Sequence, residues 1–132
     1  MTNALYKYTI LYVKDVVATV EFYEQAFDLK RGLVTPETDY GEVITGDTTL
    51  SFASLELGNS NIKSGFTTSS PDTKPFGVEL AFVAESIDET WKQAIKAGAT
   101  ILEDIVEKPW GQQVGYLRDP NGFLLEICTP MK

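Results

Sequence analysis

Gly77-Val78-Glu79-Leu80-Ala81-Phe82-Val83, followed shortly by Ser86-Ile87-Asp88-Glu89-Thr90-Trp91-Lys92-Gln93-Ala94-Ile95-Lys96-Ala97-Gly98, is the stretch from which the fold follows. The first seven residues are apolar and strand-forming with one carboxylate among them. Ile87, Trp91, Ala94 and Ile95 then recur at helical spacing. Ser86 with Glu89 three residues on predicts a capping box, and Gly98 predicts the helix end. Downstream, Ala99–Leu102, Gln113–Leu117 and Phe123–Cys128 predict three more strands. The last two are joined by Asp119-Pro120-Asn121-Gly122, where Pro presets the second turn position and Asn-Gly tolerates positive φ. The unit reads β-α-β-β-β.

The same order occurs upstream. Leu5–Val13 is dense in aromatic and β-branched residues and predicts a strand. Asp15 caps a helix with Val16, Val17, Val20, Tyr23 and Phe27 on its apolar positions, ending near Arg31-Gly32. Leu33–Leu57 predicts about three antiparallel strands, broken at Asp39-Tyr40-Gly41 and Gly46-Asp47. Tyr12-Val13 answers Phe82-Val83, and Tyr23–Phe27 matches Trp91–Ile95, an offset of about 70 residues that marks a duplicated module. Between the repeats, 58–75 is polar and small except for Ile62 and Phe66, and reads as a linker or mobile loop. The expectation is one α+β domain over 1–132, with module one at about 5–57, the linker at 58–75 and module two at about 76–129.

Composition narrows the chemistry. The 132 residues suit one domain, and 43% hydrophobic with 23% charged residues suits a packed core rather than a disordered chain. Cys128 is the single cysteine, which excludes an intramolecular disulfide and fits a reducing cytoplasm. No apolar run is long enough to span a bilayer, and Met1-Thr2-Asn3-Ala4 lacks the features of a signal peptide, so neither secretion nor a membrane partner is expected. The 11 basic and 19 acidic side chains give a net charge of -8, which repels phosphate backbones and excludes nucleic acid as a natural partner. There is no histidine. That removes Ser-His-Asp triads, histidine general bases and nitrogen ligands for zinc, nickel or iron.

Val13-Lys14-Asp15 followed by Glu21-Phe22-Tyr23, then Ala97-Gly98-Ala99, Pro109-Trp110-Gly111-Gln112, and Leu117-Arg118-Asp119-Pro120-Asn121-Gly122 before Leu125-Glu126 together resemble the vicinal oxygen chelate superfamily. That superfamily includes glyoxalase I, extradiol dioxygenases, and fosfomycin- and bleomycin-resistance proteins. The resemblance covers essentially all of 5–129. It implies two β-α-β-β-β modules whose sheets curl around a concave cavity, assembled as a homodimer with sites near the module or subunit interface. It also implies that any metal would be held from the first, fourth, fifth and eighth strands. At those positions this chain offers Tyr8, a residue near Phe52, Glu79 and Glu126. Two carboxylates and a phenol suit magnesium, calcium or manganese better than zinc or nickel.

The resemblance therefore implies a metal-free binding protein of the bleomycin-resistance type, without cofactor, holding a small aromatic or cationic molecule in an acidic, aromatic-lined cleft. Glu79 and Glu126 are its candidate charged residues; placed together in an apolar concavity they would raise at least one pKa or attract a cation. Tyr8, Tyr12, Phe52 and Trp110 are its candidate aromatic walls, Trp110 as a stacking residue, with Phe82 and Tyr116 also on the strands. The loop at 58–75 is either a lid that adds Phe66 to the wall or an exposed linker. Cys128, without a basic neighbour, reads as an inert thiol. Two alternatives stand. One is a glyoxalase-like lyase or isomerase, or a dioxygenase, with an oxygen-rich metal site at Tyr8, Glu79 and Glu126. The other is an interaction or regulatory module with a vestigial cavity.

Overall fold

Asp15 starts the first helix as its sequence predicts: its Oδ1 accepts the Ala18 N–H at 2.9 Å. In the computed structural model, which describes residues 3–131, the elements run β1 (Tyr8–Val13), α1 (Val16–Phe27), β2 (Lys30–Val34), β3 (Tyr40–Thr45), β4 (Thr48–Ser54), α2 (Leu55–Asn61), β5 (Glu79–Val83), α3 (Ile87–Ala97), β6 (Thr100–Glu107), β7 (Gln113–Arg118) and β8 (Leu124–Cys128). No helix among the described residues is long and apolar enough to cross a membrane.

The chain forms two compact units. The first takes residues up to Glu24 and Leu29–Thr68; the second takes Gln25–Asp28 and the chain from Ser69 onward. The sheet orders are β1-β4-β3-β2 and β5-β8-β7-β6, so each module has the same topology, with the first strand parallel to the fourth and the rest antiparallel. In the first unit Val13, Val43, Leu50 and Phe52 are buried with Val16, Val20 and Tyr23 of α1; in the second, Leu117, Leu125 and Ile127 are buried with Ile87, Trp91 and Ala94 of α3.

The register of the repeat shifts by one residue from the sequence match. Val13 is 1% exposed and Val83 is 65% exposed, so they lie on opposite faces and cannot correspond. By their places in the ladders of the two sheets, Tyr8 is the counterpart of Glu79, Val13 of Ala84, Gly41 of Gly115, Val43 of Leu117, Ser51 of Glu126 and Phe52 of Ile127. The helix match moves too: Gly41 packs on Val16 and Val20, and Gly115 on Trp91, which aligns Val20 with Trp91.

Several local expectations change. The first helix ends at Phe27, so Arg31-Gly32 lie in β2 rather than at the helix end. Leu55–Asn61 is a helix, capped by Ser54, whose Oγ accepts the Leu57 N–H at 3.0 Å. Ser86 occupies the cap of α3 but makes no side-chain cap bond, so no capping box forms. The first strand begins at Tyr8 rather than Leu5, and β6 runs on to Glu107. The segment after α2 is anchored at two places. Phe66 stacks on Tyr12 at 4.8 Å, directly over Gly58, and the carbonyls of Ser70 and Pro71 accept from Arg118.

Candidate functional site

Alternation along the strands places Glu79 of β5, Glu126 and Cys128 of β8, and Tyr116 of β7 on the sheet face opposite Leu117, Leu125 and Ile127. Glu126 is the centre of this group. Tyr116 is its direct cross-strand partner, and Glu79 sits diagonally across from it, one pleat before Ala81 on β5. Glu79 and Glu126 thus face the same side of two paired strands. Partial desolvation, then the adjoining Glu126 carboxyl through hydrogen bonding and charge, push the Glu79 carboxyl above its ordinary 4.5.

The neighbouring groups follow from the same charge. Burial, then the charges of Glu126 and Glu79, raise the Tyr116 phenol above 10.0. Burial, then Glu126, raise the Cys128 thiol above 9.0, while a hydrogen bond from Gln112 pulls the other way. At neutral pH the phenol and thiol therefore stay protonated. Cys128 is buried and its thiol points to the Phe82 carbonyl at 3.8 Å, as an inert thiol does.

Trp110 sits on the tight connection between β6 and β7. Lys108 N–H bonds to Gln112 O and Gly111 N–H to Lys108 O, both at 2.8 Å, and Gly111 takes a φ of 94°. The ring is 63% exposed, yet its indole N–H donates to Gln112 Oε1 at 2.8 Å, and Gln112 Nε2 donates to the Thr129 carbonyl at 2.8 Å. A pocket of about 60 Å³ lies here, lined by Trp110, Gly111, Gln112, Pro130 and Met131. Gln112 thus ties the Trp110 indole to the Thr129 backbone just past the end of β8.

The remaining candidates belong to the first unit. Tyr8 is 44% exposed on β1 and near enough to Tyr40 to act on its phenol. Tyr12 is covered by Phe66. Phe52 does not line an open wall: it is fully buried and stacks on Tyr23 of α1 at 5.2 Å, because its strand position faces the helix. The β4 position on the sheet face away from α1 is Ser51, one residue earlier, and it is fully buried as well. Its hydroxyl lies 2.9 Å from the Tyr40 phenol, which lies 2.9 Å from Glu42 Oε2. A phenol has one proton, so Tyr40 donates to the carboxylate and accepts from Ser51. Burial is the main cause of the raised Tyr40 pKa. Sequence reading missed Tyr40, Glu42, Ser51 and Gln112 as site residues; the period-two spacing of Tyr40 and Glu42 across Gly41 was the available signal.

Two four-stranded sheets of identical order, each backed by one helix, define the vicinal oxygen chelate architecture. The model of the glyoxalase-like domain matches residues 6–132, and the chain belongs to that family. The uncharacterized protein Mb0911c of Mycobacterium bovis is 24% identical over 137 residues, covering 92% of this chain and 81% of that protein. A glyoxalase-related enzyme from Fulvimarina pelagi superposes with a TM-score of 0.79 at 19% identity, over 96% of this chain and 88% of that one. A glyoxalase/bleomycin resistance protein/dioxygenase family enzyme from Burkholderia phytofirmans PsJN gives 0.73 at 22% identity, over 93% and 96%. At these identities the structures share the fold.

The residues present do not fit the divalent ion of the family's metalloenzymes. The corresponding strand positions hold Tyr8 and Ser51 in the first unit and Glu79 and Glu126 in the second, a phenol, a hydroxyl and two carboxyls with no imidazole or free thiolate donor among them. No cluster of three or more His, Cys, Asp or Glu suited to a metal occurs among the described residues.

Proposed function

We propose that this protein binds a small cationic, aromatic molecule without a metal or other cofactor, in the manner of bleomycin-resistance-type sequestration proteins. The observation that carries this reading is the carboxyl pair of Glu79 and Glu126, which gathers negative charge on the second sheet where a metal site would need nitrogen donors. A cation placed there relieves the repulsion between the two carboxylates. The overall charge of -8 draws cations toward the protein and keeps anions away. A cytoplasmic homodimer belongs to the same proposal, and sedimentation velocity tests the assembly.

The test is metal content and melting temperature on untagged protein purified without chelator. Magnesium, manganese, nickel, zinc and iron(II) are expected to be absent at stoichiometric levels and to leave the melting temperature where it is. Proflavine, a planar cation, is expected to raise it; a ligand at one hundred times its Kd stabilises the fold by about 2.7 kcal/mol. Glu79→Gln and Glu126→Gln are expected to weaken that shift. Stoichiometric metal that disappears in Glu126→Gln would overturn the proposal and favour a lyase, isomerase or dioxygenase.

A further inference from the structure

Among the described residues, Arg118 is a buried cation whose guanidinium bonds to backbone carbonyls, twice to Gly122 and once each to Ser70 and Pro71. An arginine is rarely buried without a carboxylate beside it. The adjoining Asp119 carboxylate is engaged in the turn, where its Oδ1 accepts from the N–H groups of Asn121 and Phe123 at 2.9 Å. Other carboxylates stand on the same sheet face. Arg118 pairs with Leu124 across β7 and β8, and Tyr116 with Glu126, so Arg118 is the diagonal neighbour of Glu126, about 7–8 Å away and within reach of a long side chain. Glu79 flanks Leu124 on its other side, in β5. The guanidinium is nevertheless turned away from both, toward the hairpin turn and the segment after Thr68. That segment is lightly held, since residues 71–74 are exposed and bury little apolar surface.

We propose that Arg118 is a built-in competitor for the carboxyl site, held off it by the Ser70 and Pro71 carbonyls and released to Glu126 and Glu79 when their segment lifts. Docked, the segment leaves the two carboxyl groups to a cationic ligand. Lifted, it leaves the guanidinium only the Gly122 carbonyl, and bonds to a carboxylate, being charge-assisted at both ends, are stronger than bonds to a carbonyl. The inference rests on the binding reading above and adds to it the regulation of that site. The coupling runs both ways: a bound cation keeps the segment down, and a lifted segment weakens the cation.

The experiment breaks the joint from its two sides and reads proflavine affinity, which a purely structural arginine would not move in opposite directions. Gly122→Ala, whose Cβ would stand 2.5 Å from the Ser70 carbonyl carbon, lifts the segment and keeps the competitor; it is expected to weaken proflavine about five-fold, the scale of one exposed ion pair. Arg118→Leu lifts the segment and removes the competitor. It is expected to bind proflavine at least as tightly as the wild type, and so is the double variant. Without ligand, Glu126→Gln is expected to lower the urea midpoint in the Gly122→Ala background, where it removes the partner of Arg118, and not in the wild type, where it removes repulsion from Glu79. In the wild-type protein, which needs no variant to fold, saturating proflavine is expected to slow proteolytic cleavage within residues 69–75. Equal proflavine affinity in Gly122→Ala and Arg118→Leu overturns the competition, as does cleavage unchanged by bound proflavine. Failure of the wild type to bind proflavine overturns the binding reading, and the urea comparison then decides Arg118 by itself: equal effects of Glu126→Gln in the two backgrounds overturn the transfer of the guanidinium.

Discussion

Gly115 of β7 lies directly beneath the indole of Trp91: a Cβ placed on it would stand 2.6 Å from Cζ3 and 2.8 Å from Cη2. Trp91 is buried on α3 and Ile105 closes the other side at 2.9 Å, so neither neighbour can withdraw cheaply. Gly115→Ala is therefore expected to destabilise the protein by about 1–3 kcal/mol through overpacking. Gly41→Ala, which meets the methyl groups of Val16 and Val20 at 3.0 Å, is expected to cost less. Urea unfolding of the two variants measures both, and a neutral Gly115→Ala would contradict the packing of α3 on its sheet.

That glycine also explains what the sequence made legible. Helix-period and strand-period patterns are local, so the order β-α-β-β-β, its repetition and the turn at Asp119–Gly122 were all readable. Register was not. Matching Val13 to Val83 aligned two valines by type, whereas burial turns them to opposite faces, and the same one-residue step put Phe52, which faces α1, in place of Ser51 on the other face of β4. The helix at Leu55–Asn61 escaped because Gly58, Asn59, Ser60 and Asn61 are turn formers; Gly58 is needed there for the close approach of Tyr12 and Phe66. β6 ran past Leu102 because edge strands carry charges such as Glu103 and Asp104 that depress a propensity reading. Of the candidate site, the placement of Glu79 and Glu126 on one sheet face followed from the family resemblance and the alternation of strand residues. The amide of Gln112 was not, because its partners are a loop indole and a distant backbone carbonyl.

The Glu79 carboxyl sets a pH dependence. Its pKa is raised in the folded state, so folding binds the proton more tightly than the unfolded chain does. The stabilisation from that proton is complete below the ordinary value of 4.5 and is lost as pH rises through the elevated one. Glu79→Gln is expected to remove this loss, making the variant more stable than the wild type relative to its own behaviour at pH 4 when both are compared at pH 7. Thermal unfolding across pH 4–7 tests it; parallel curves for the two proteins would show that folding leaves the Glu79 carboxyl at its ordinary pKa.

In the first unit, Tyr40→Phe leaves the fully buried Ser51 hydroxyl and the Glu42 carboxylate without the phenol that joined them. The expected cost is about 1–3 kcal/mol. Adding Ser51→Ala is expected to recover part of it, since removing both members of a buried hydrogen bond costs less than orphaning one. Equilibrium unfolding of the two single variants and the double variant closes the cycle, and strict additivity would show that the 2.9 Å contact carries no coupling.

Arg118 ties the polar segment after Thr68 to the last hairpin. Its Nε and Nη2 donate to the Gly122 carbonyl at 3.0 and 2.8 Å, Nη2 to Ser70 O at 2.9 Å and Nη1 to Pro71 O at 3.3 Å. The planar guanidinium reaches all three carbonyls at once; a lysine ammonium, a single point of donors, cannot. Gly122 completes the joint, since at a φ of 94° a side chain is already strained and a Cβ would stand 2.5 Å from the Ser70 carbonyl carbon. Arg118→Lys and Arg118→Leu are both expected to destabilise by roughly 2–4 kcal/mol. Gly122→Ala acts on the same joint from the opposite side and is expected to resemble them. Limited proteolysis provides the local readout: cleavage within Ser69–Pro75 is expected to accelerate in all three variants by more than the change in global stability accounts for. If cleavage rises only in step with global unfolding, Arg118 supports the fold as a whole and not this segment in particular.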